Sequence, residues 1–354
     1  MFENVTVSTT TGSMYAVGMI YISVSTVGLI GNALCFFTLL VNRLWKNPTY
    51  CFIMHQCIAD ILCLTGIGVY VGLVEIFDQM PKIHRPMSMC LQIGWYSSGA
   101  FSIALASTRL FALKYKNQYQ KVFSKSHVTY LTSAVWVIYC ALSLSWSFRR
   151  ISIDGVFREI YTFGVNVVDI LSQTWFYFNF VNDFLVSNVV LVVNLTTAFH
   201  LKRLKNQSQS LQQIQSRKLD VKLYVQCTMT TTFLVIICYI YSAVTFIGYT
   251  LTAVEFFFFH LCWLLYHTVC PYVYLTTNSD LRSMLILMIK ERKAQAQANR
   301  PCVTLLGVPW RIRGCRHAKI ETSKPKRTFE LVKNGQSPNQ KFADARMRSS
   351  ESLT

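Results

Sequence analysis

Charge is scarce in this chain, and negative charge most of all. Only 14% of the 354 residues are charged, and Asp and Glu together number 16 against 34 Lys and Arg. Hydrophobic residues make up 52%, and the mean hydropathy is +0.34. A soluble globular domain usually has about a quarter of its residues charged, so this chain is too apolar for that class. The composition predicts a membrane protein.

Motifs of enzymes and of nucleic-acid-binding domains are also missing. The chain contains no nucleophile elbow, phosphate-binding loop or metal-ligand spacing, so it predicts neither an enzyme nor a metal site. The formal net charge is +18. However, the basic residues lie between apolar runs and in the C-terminal tail, not among the aromatics of one soluble domain, so no nucleic-acid partner is expected.

Two further absences concern a disulfide bond and a signal peptide. Residues 149–173 contain no cysteine, which excludes a disulfide between that segment and the third apolar run. The twelve cysteines are better explained as small apolar packing residues. The N-terminus has no basic region followed by a small-residue cleavage site, so no cleaved signal peptide is expected.

Seven apolar runs are long enough to cross a hydrocarbon core of about 30 Å, which takes about 20 helical residues. They are residues 14–41, 50–77, 89–113, 128–148, 171–199, 223–251 and 254–277. We therefore predict an all-α fold: a seven-transmembrane helix bundle of residues 14–278 that follows an extracellular N-terminus of residues 1–13.

Lysine and arginine are divided unevenly between the two sets of loops. One set has twelve and the other five, and loops that retain positive charge stay cytoplasmic. The first set is Arg43, Lys46, Lys114, Lys116, Lys121, Lys125, Lys202, Arg203, Lys205, Arg217, Lys218 and Lys222, and the second is Lys82, Arg85, Arg149, Arg150 and Arg158. This predicts an N-terminus outside the cell, with Asn4 of Asn4-Val5-Thr6 as a glycosylation site, and a cytoplasmic C-terminus.

The chain changes character after the seventh run. Residues 279–293 have apolar positions at helical spacing, which indicates an amphipathic helix on the membrane surface. Residues 294–354 are polar and basic without periodicity, and we predict a disordered cytoplasmic tail. Cys302 and Cys315 in this tail are palmitoylation candidates, with plain reduced thiols as the alternative.

The third run contains a single charge, Arg109, close to its end. An arginine in a membrane-length helix is costly unless it faces a protein-lined cavity or reaches the interface. A snorkelling side chain is therefore the alternative to a functional one. Polar residues in the other runs favour the functional role.

Those polar residues follow an ordered pattern. They are Gly31-Asn32, Asp60, Arg109, Trp136 and Pro271-Tyr272-Val273-Tyr274. In this order they resemble the rhodopsin-like G-protein-coupled receptors. The segments 183–188, 197–204, 222–226 and 263–267 are similar to the nematode serpentine chemoreceptors, most of all to the srx type.

The resemblance implies a chemosensory receptor that converts binding of a small molecule or peptide into activation of a heterotrimeric G protein. It also implies a multi-pass protein of the plasma membrane, in the sensory cilium of a nematode cell, with arrestin and receptor kinases as further partners. The implied switch and coupling residues are Arg109, Thr108, Tyr119, Pro271 and Tyr274. Thr108 stands where most such receptors have an acid, so the ion pair that holds the arginine inactive is missing.

Four polar residues are predicted to meet in the membrane core: Asn32, Asp60, Ser98 and His267. A carboxylate at that depth needs a cation, a proton or hydrogen bonds. An allosteric sodium ion at Asp60 and simple protonation are the two interpretations, and no other cofactor is expected. We expect His267 to be a hydrogen-bonded core residue.

A ligand cavity is predicted in the outer halves of four helices. Its candidate residues are Trp95, Tyr96, Tyr177, Asn179, Asp183, Tyr241, Thr245, His260 and Trp263. Anchoring at the membrane interface is the alternative for the aromatic members. Asp183 is expected to face the bundle interior and to find a hydrogen-bond donor there. The mainly aromatic lining suits a small, largely apolar ligand.

A seven-helix transporter or ligand-gated channel is the alternative class. The sequence has no inverted repeat, no pair of broken hydrophobic segments and no ring of intramembrane carboxylates. These absences favour the receptor.

Overall fold

A computed structural model describes residues 11–77, 83–148, 155–157, 162–164, 170–205, 224–225, 228–243 and 252–298. The polypeptide divides into two units, Met1–Ala296 and Gln297–Thr354. All of the elements described below begin in the first unit.

Helices build the first half of the chain. In order they are α1 (Thr11–Val41), α2 (Pro48–Cys63), α3 (Val71–Phe77), α4 (His84–Lys114), α5 (Lys116–Val122) and α6 (Lys125–Phe148). A 3₁₀ turn, Leu44–Lys46, precedes α2, and a π-helical segment, Leu64–Tyr70, joins α2 to α3. The second predicted run is thus one helical segment with a π-helical centre.

The second half continues in the same way after a short hairpin. Strands β1 (Gly155–Phe157) and β2 (Thr162–Gly164) pair antiparallel, with Val156 opposite Phe163. The following helices are α7 (Ile170–Lys205), α8 (Thr228–Ala243), α9 (Ala253–Thr277) and α10 (Ser279–Ala298). The hairpin is the exception to an otherwise helical chain among the described residues.

Within the described ranges, five helical segments are long and apolar enough to cross a membrane. They are Gly12–Val41, Pro48–Phe77, Lys125–Trp146, Gln173–Arg203 and Ala253–Thr277. α8 is a shorter apolar helix, and α4, with 31 residues, is long enough but more polar. Together these make the seven helices of the predicted bundle, and the fold class is confirmed.

The polarity of α4 follows from its position. This helix packs against α2, α6 and α7, so protein rather than lipid surrounds much of it. Its serines and glycines at 94, 97, 98, 99 and 102 are buried. Small residues at such a contact let the helix axes approach closely. α4 is therefore the central helix around which the site is built.

Glycines bring the π-helical segment close to its neighbours. A Cβ on Gly68 would lie 1.5 Å from the Oγ atom of Ser25 in α1, and a Cβ on Gly66 would lie 3.1 Å from the carbonyl oxygen of Met87. No side chain fits at Gly68 without movement of the α1 backbone. The extra residue of a π-helical turn frees carbonyl groups for other partners, which is why such turns occur at functional sites.

The helix ends are capped by their own sequence. Asn47 caps α2 by accepting a hydrogen bond from the Thr49 backbone N–H at 3.0 Å, with Pro48 in the first turn. Thr252 and Glu255 form a capping box at the start of α9. Asn278 ends α9 and caps α10. The surface helix begins where the sequence predicts and extends five residues further, to Ala298.

Candidate functional site

The centre of the bundle holds a buried carboxylate and imidazole in direct contact. The Nδ1 atom of His267 in α9 lies 2.7 Å from Oδ1 of Asp60 in α2, and both side chains have an exposed fraction of 0%. With the ring proton on Nδ1, His267 donates to the carboxylate. His267 is therefore the hydrogen-bonded core histidine that the sequence predicts.

Four more side chains complete this polar cluster. Gln56 Nε2 donates to Asp60 Oδ1 at 3.1 Å and to Ser98 Oγ at 2.5 Å, and Ser98 Oγ donates to the same carboxylate oxygen at 3.3 Å. The Tyr266 hydroxyl lies 3.2 Å from Ser98 Oγ and 3.3 Å from Ser102 Oγ. These contacts join α2, α4 and α9.

Asn32 approaches the cluster through the backbone. Its Nδ2 atom donates to the His267 carbonyl oxygen at 3.1 Å and to the Gly28 carbonyl oxygen at 3.0 Å. Pro271 lies four residues after His267 and has no N–H to donate to that carbonyl. Asn32 therefore supplies the hydrogen bond that the proline removes, and it ties α1 to α9.

Three buried oxygen atoms of the cluster accept no hydrogen bond from the described residues: Asp60 Oδ2, Asn32 Oδ1 and Gln56 Oε1. Buried acceptors of this kind usually bind water or an ion. Hard cations prefer carboxylate and amide oxygens. The residues therefore fit the sodium ion predicted at Asp60, although the described part of the chain contains no cluster of three or more His, Cys, Asp or Glu residues suited to a metal.

Asp183 finds its donor in the third membrane helix. The indole Nε1 of Trp95 donates to Asp183 Oδ1 at 2.9 Å, and Asn182 Nδ2 donates to the same oxygen at 3.2 Å. The Trp95 ring also contacts the rings of Trp263, at 5.0 Å between centroids, and His267, at 5.9 Å. Trp95 thus joins the outer acid to the central cluster.

Two of the other predicted cavity residues, Tyr241 and His260, adjoin this group. Tyr241 packs against Trp263 with ring centroids 6.2 Å apart. His260 also contacts Trp263, and its Nε2 atom lies 2.8 Å from the Ile67 carbonyl oxygen of the π-helical segment. Tyr96 and Asn179 form a separate pair: the Tyr96 hydroxyl donates to the side-chain oxygen of Asn179, and the Tyr96 ring packs against α6.

Another predicted cavity residue, Tyr177, lies away from the group. Tyr177 has an exposed fraction of 64%, and its ring contacts Phe176 on the same helix. This places it on the outer face of α7, where an interfacial anchor is the better explanation. Thr245 lies outside the described residues, as do Asn4, Cys302 and Cys315.

Arg109 lines a narrow crevice at the other end of the bundle. The crevice has ≈ 10 Å³ of free space, and its walls come from Ile53, Ser102, Leu105, Thr230, Thr231, Tyr266, Cys270 and Tyr274. That is room for about one water molecule. Since Ser102 and Tyr266 also belong to the hydrogen-bonded cluster, the crevice and the buried pair share a wall.

The other predicted switch residues have different surroundings. Among the described residues, Arg109 has no ion pair or hydrogen bond. Thr108 donates its hydroxyl to the Leu105 carbonyl oxygen at 2.7 Å, within its own helix. Tyr119 lies in α5 and packs against Phe123 at 5.3 Å between ring centroids, outside the lining of the crevice.

Sequence reasoning missed Gln56, Ser102 and Tyr266 as members of the site. Gln56 lies one helical turn before Asp60, and Ser102 one turn after Ser98, so helical spacing from known polar residues was the available signal. His55, which accepts a hydrogen bond from Trp136 Nε1 at 3.1 Å, was missed too. His55 and Trp136 are far apart in the chain, and nothing in a single sequence indicates that they meet.

The bundle, the buried pair and the arginine-lined crevice define a class: a seven-helix, multi-pass membrane receptor of the G-protein-coupled type. The model of one family, described as "Serpentine type 7TM GPCR chemoreceptor Srt", matches residues 3–298. The chain belongs to that family. The predicted resemblance to serpentine chemoreceptors is confirmed, and the class within them is Srt, where the sequence had favoured the srx type.

A curated relative agrees with this class. G-protein coupled receptor 183 of Mus musculus is 26% identical over 127 residues, which are 35% of this chain and 36% of that protein. The match spans about a third of the relative's length.

Proposed function

We propose that this protein is a chemosensory receptor in which a ligand beside Trp95 and Asp183 controls a G-protein site at Arg109. One observation carries the proposal. Contacts run without a gap from Asp183 through Trp95 to His267 and Asp60, and from there through Ser98 to Tyr266 at the crevice. Each step joins two different helices.

The outer end is where a ligand acts. The Trp95 indole is held by one hydrogen bond to Asp183 and by ring contacts. A small, largely apolar ligand that competes for the Asp183 carboxylate or displaces Trp263 moves the indole against the His267 ring. A ligand that binds this second arrangement more tightly shifts the population of receptors towards it.

The inner end is where the signal is read. With ≈ 10 Å³ of free space, the crevice at Arg109 is too small for any part of a G protein. Its far wall is formed by Thr230 and Thr231 of α8, so an outward movement of α8 opens it. Arg109 then becomes available to a heterotrimeric G protein, together with the basic loops that flank it.

The orientation follows from the distribution of basic residues. The twelve Lys and Arg of the inner loops favour a cytoplasmic C-terminus, with Asn4 outside and available for glycosylation. We place the receptor in the plasma membrane of a sensory cilium. The basic tail would carry the sites for receptor kinases and arrestin, and Cys302 and Cys315 would be palmitoylated.

Sodium is the proposed allosteric ion. Asp60, Asn32 and Gln56 would hold it through the three oxygen atoms that lack donors. When bound, the ion supplies the positive charge that a buried carboxylate needs.

The test is a ligand screen with a G-protein readout in cells that express the receptor. An agonist's potency should fall with Asp183→Ala and with Trp263→Ala at unchanged surface expression. Tyr130→Phe in α6 is the control, because the Tyr130 side chain is 78% exposed and lies outside the site. If both site variants leave the dose-response curve in place, the ligand binds elsewhere.

A further inference from the structure

We infer that the ligand carries a positive charge: a small organic ammonium ion that binds Asp183 among the rings of Trp95, Trp263 and Tyr241. The inference rests on the proposed function, because it names the ligand class of the same site. The proposed function asks only for a small, largely apolar ligand there, charged or neutral.

The hydrogen bonds of Asp183 leave its charge without a counter-charge. Both donors, Trp95 Nε1 and Asn182 Nδ2, are neutral groups, and both reach Oδ1. Within the described part of the chain, Oδ2 accepts no hydrogen bond, and the one ion pair is that of Asp60 with His267. A carboxylate in a membrane helix is costly without a positive partner. The missing partner is what a cationic ligand would supply.

Hydrogen-bond partners separate Asp183 from the other membrane carboxylate. Asp60 is fully buried, with His267 on one oxygen. The donors to Asp183, Trp95 and Asn182, lie outside that central cluster. A ligand that binds Asp183 therefore leaves the central cluster intact, which is why we assign the ligand to this acid.

The aromatic rings around Asp183 suit the same chemistry. Trp95 and Trp263 meet at 78° with centroids 5.0 Å apart, and Tyr241 meets Trp263 at 70°. Rings at near right angles can offer both a face and an edge to the same group. A cation within about 6 Å of a Trp or Tyr face is attracted by the ring quadrupole, most strongly when desolvated. One carboxylate with three such rings is a site for an ammonium group on an apolar body.

Matched pairs of probes test the inference without a known agonist. Thermal stability of purified receptor in lipid nanodiscs is measured with 2-phenylethylamine, its N-trimethylated form and 1-aminohexane. Each cation is compared with an uncharged alcohol of the same carbon skeleton. 2-Phenylethanol is the partner of the two aromatic cations, and 1-hexanol is the partner of 1-aminohexane. The readout needs no G protein, so a failure of coupling does not affect it.

Two single-charge variants complete the design. Asp183→Asn keeps an oxygen acceptor for Trp95 but removes the negative charge. Glu255→Gln removes a negative charge at the start of α9, where glutamine also suits a capping box. We expect the ammonium probes, but not the alcohols, to stabilise the wild-type receptor and Glu255→Gln. Their affinity for Asp183→Asn should be at least about tenfold weaker.

The inference is overturned by either of two results: the alcohols stabilise the receptor as well as the cations do, or no cation distinguishes the wild type from Asp183→Asn. A neutral agonist from the screen that still loses potency with Asp183→Ala would leave the proposed function intact and remove only the ligand class.

Discussion

The amide nitrogen of Asn32 donates to the carbonyl oxygen of His267 at 3.1 Å, in place of the N–H that Pro271 lacks. In an unbroken helix, residue 271 would donate to that carbonyl. A polar side chain of α1 thus repairs the backbone of α9 at the residue that holds Asp60.

This repair predicts a specific pair of effects. Asn32→Ala should destabilise the receptor by about 1–3 kcal/mol, because it leaves a buried carbonyl without a donor. In a Pro271→Ala background the same change should cost less, since the alanine backbone supplies the N–H that proline lacks. Thermal unfolding in detergent measures the double-mutant cycle. Equal costs of Asn32→Ala in both backgrounds would show that the two residues act independently.

Sodium at Asp60 is the second prediction. Replacing potassium chloride by sodium chloride at constant ionic strength should raise the melting temperature of the wild-type receptor. It should not do so for Asp60→Asn, which keeps the shape but not the charge. Asp280→Asn on α10 is the control for loss of an acid outside the core. A sodium shift that persists in Asp60→Asn would place the ion at another site.

Close packing at Gly68 gives the third prediction. A Cβ at this position would lie 1.5 Å from the Ser25 Oγ atom and 2.5 Å from the Ser25 Cβ atom. Gly68→Ala should therefore abolish most surface expression, and Ser25→Gly should restore much of it by removing both atoms. Flow cytometry of an N-terminal epitope reports the result. Normal expression of the single variant would mean that α1 moves aside at little cost.

The topology gives the fourth prediction. Asn4 should carry a glycan, so enzymatic removal of N-glycans should increase the electrophoretic mobility of the wild type and not of Asn4→Gln. An epitope on the C-terminus should bind antibody only after the cells are permeabilised. Labelling of that epitope on intact cells would reverse the assigned orientation.

Much of the fold was predictable because apolar runs of membrane length need no partner to be recognised. The seven runs, the surface helix after Ser279 and the meeting of Asp60 with Ser98 and His267 all followed from hydropathy and the position of polar residues. The π-helical segment did not, because it depends on the approach of α1 and α4 to Gly66 and Gly68, which is a tertiary property.

The candidate site was predictable residue by residue but not as a network. Asp183 was marked as an acid in need of a donor, yet nothing in one sequence tells which helix face meets it, so Trp95 could not be chosen as that donor. Tyr177 shows the opposite limit. It is aromatic like the other candidates but lies on the outer face of α7. A shift of one or two residues along a helix moves a side chain from the inner to the outer face, and one sequence does not fix that rotation.

Constitutive nucleotide exchange is the most direct test of a G-protein site at Arg109. Residue 108 is a threonine, and its hydroxyl donates to the Leu105 carbonyl oxygen of its own helix. No acid at this position therefore holds Arg109 in an inactive state. The wild-type receptor in nanodiscs should therefore stimulate GTPγS binding by one or more heterotrimers of a subtype panel. Thr108→Asp should lower this rate, and Arg109→Ala should reduce it to that of empty nanodiscs. A wild-type rate no higher than that of Arg109→Ala with every heterotrimer would contradict the account.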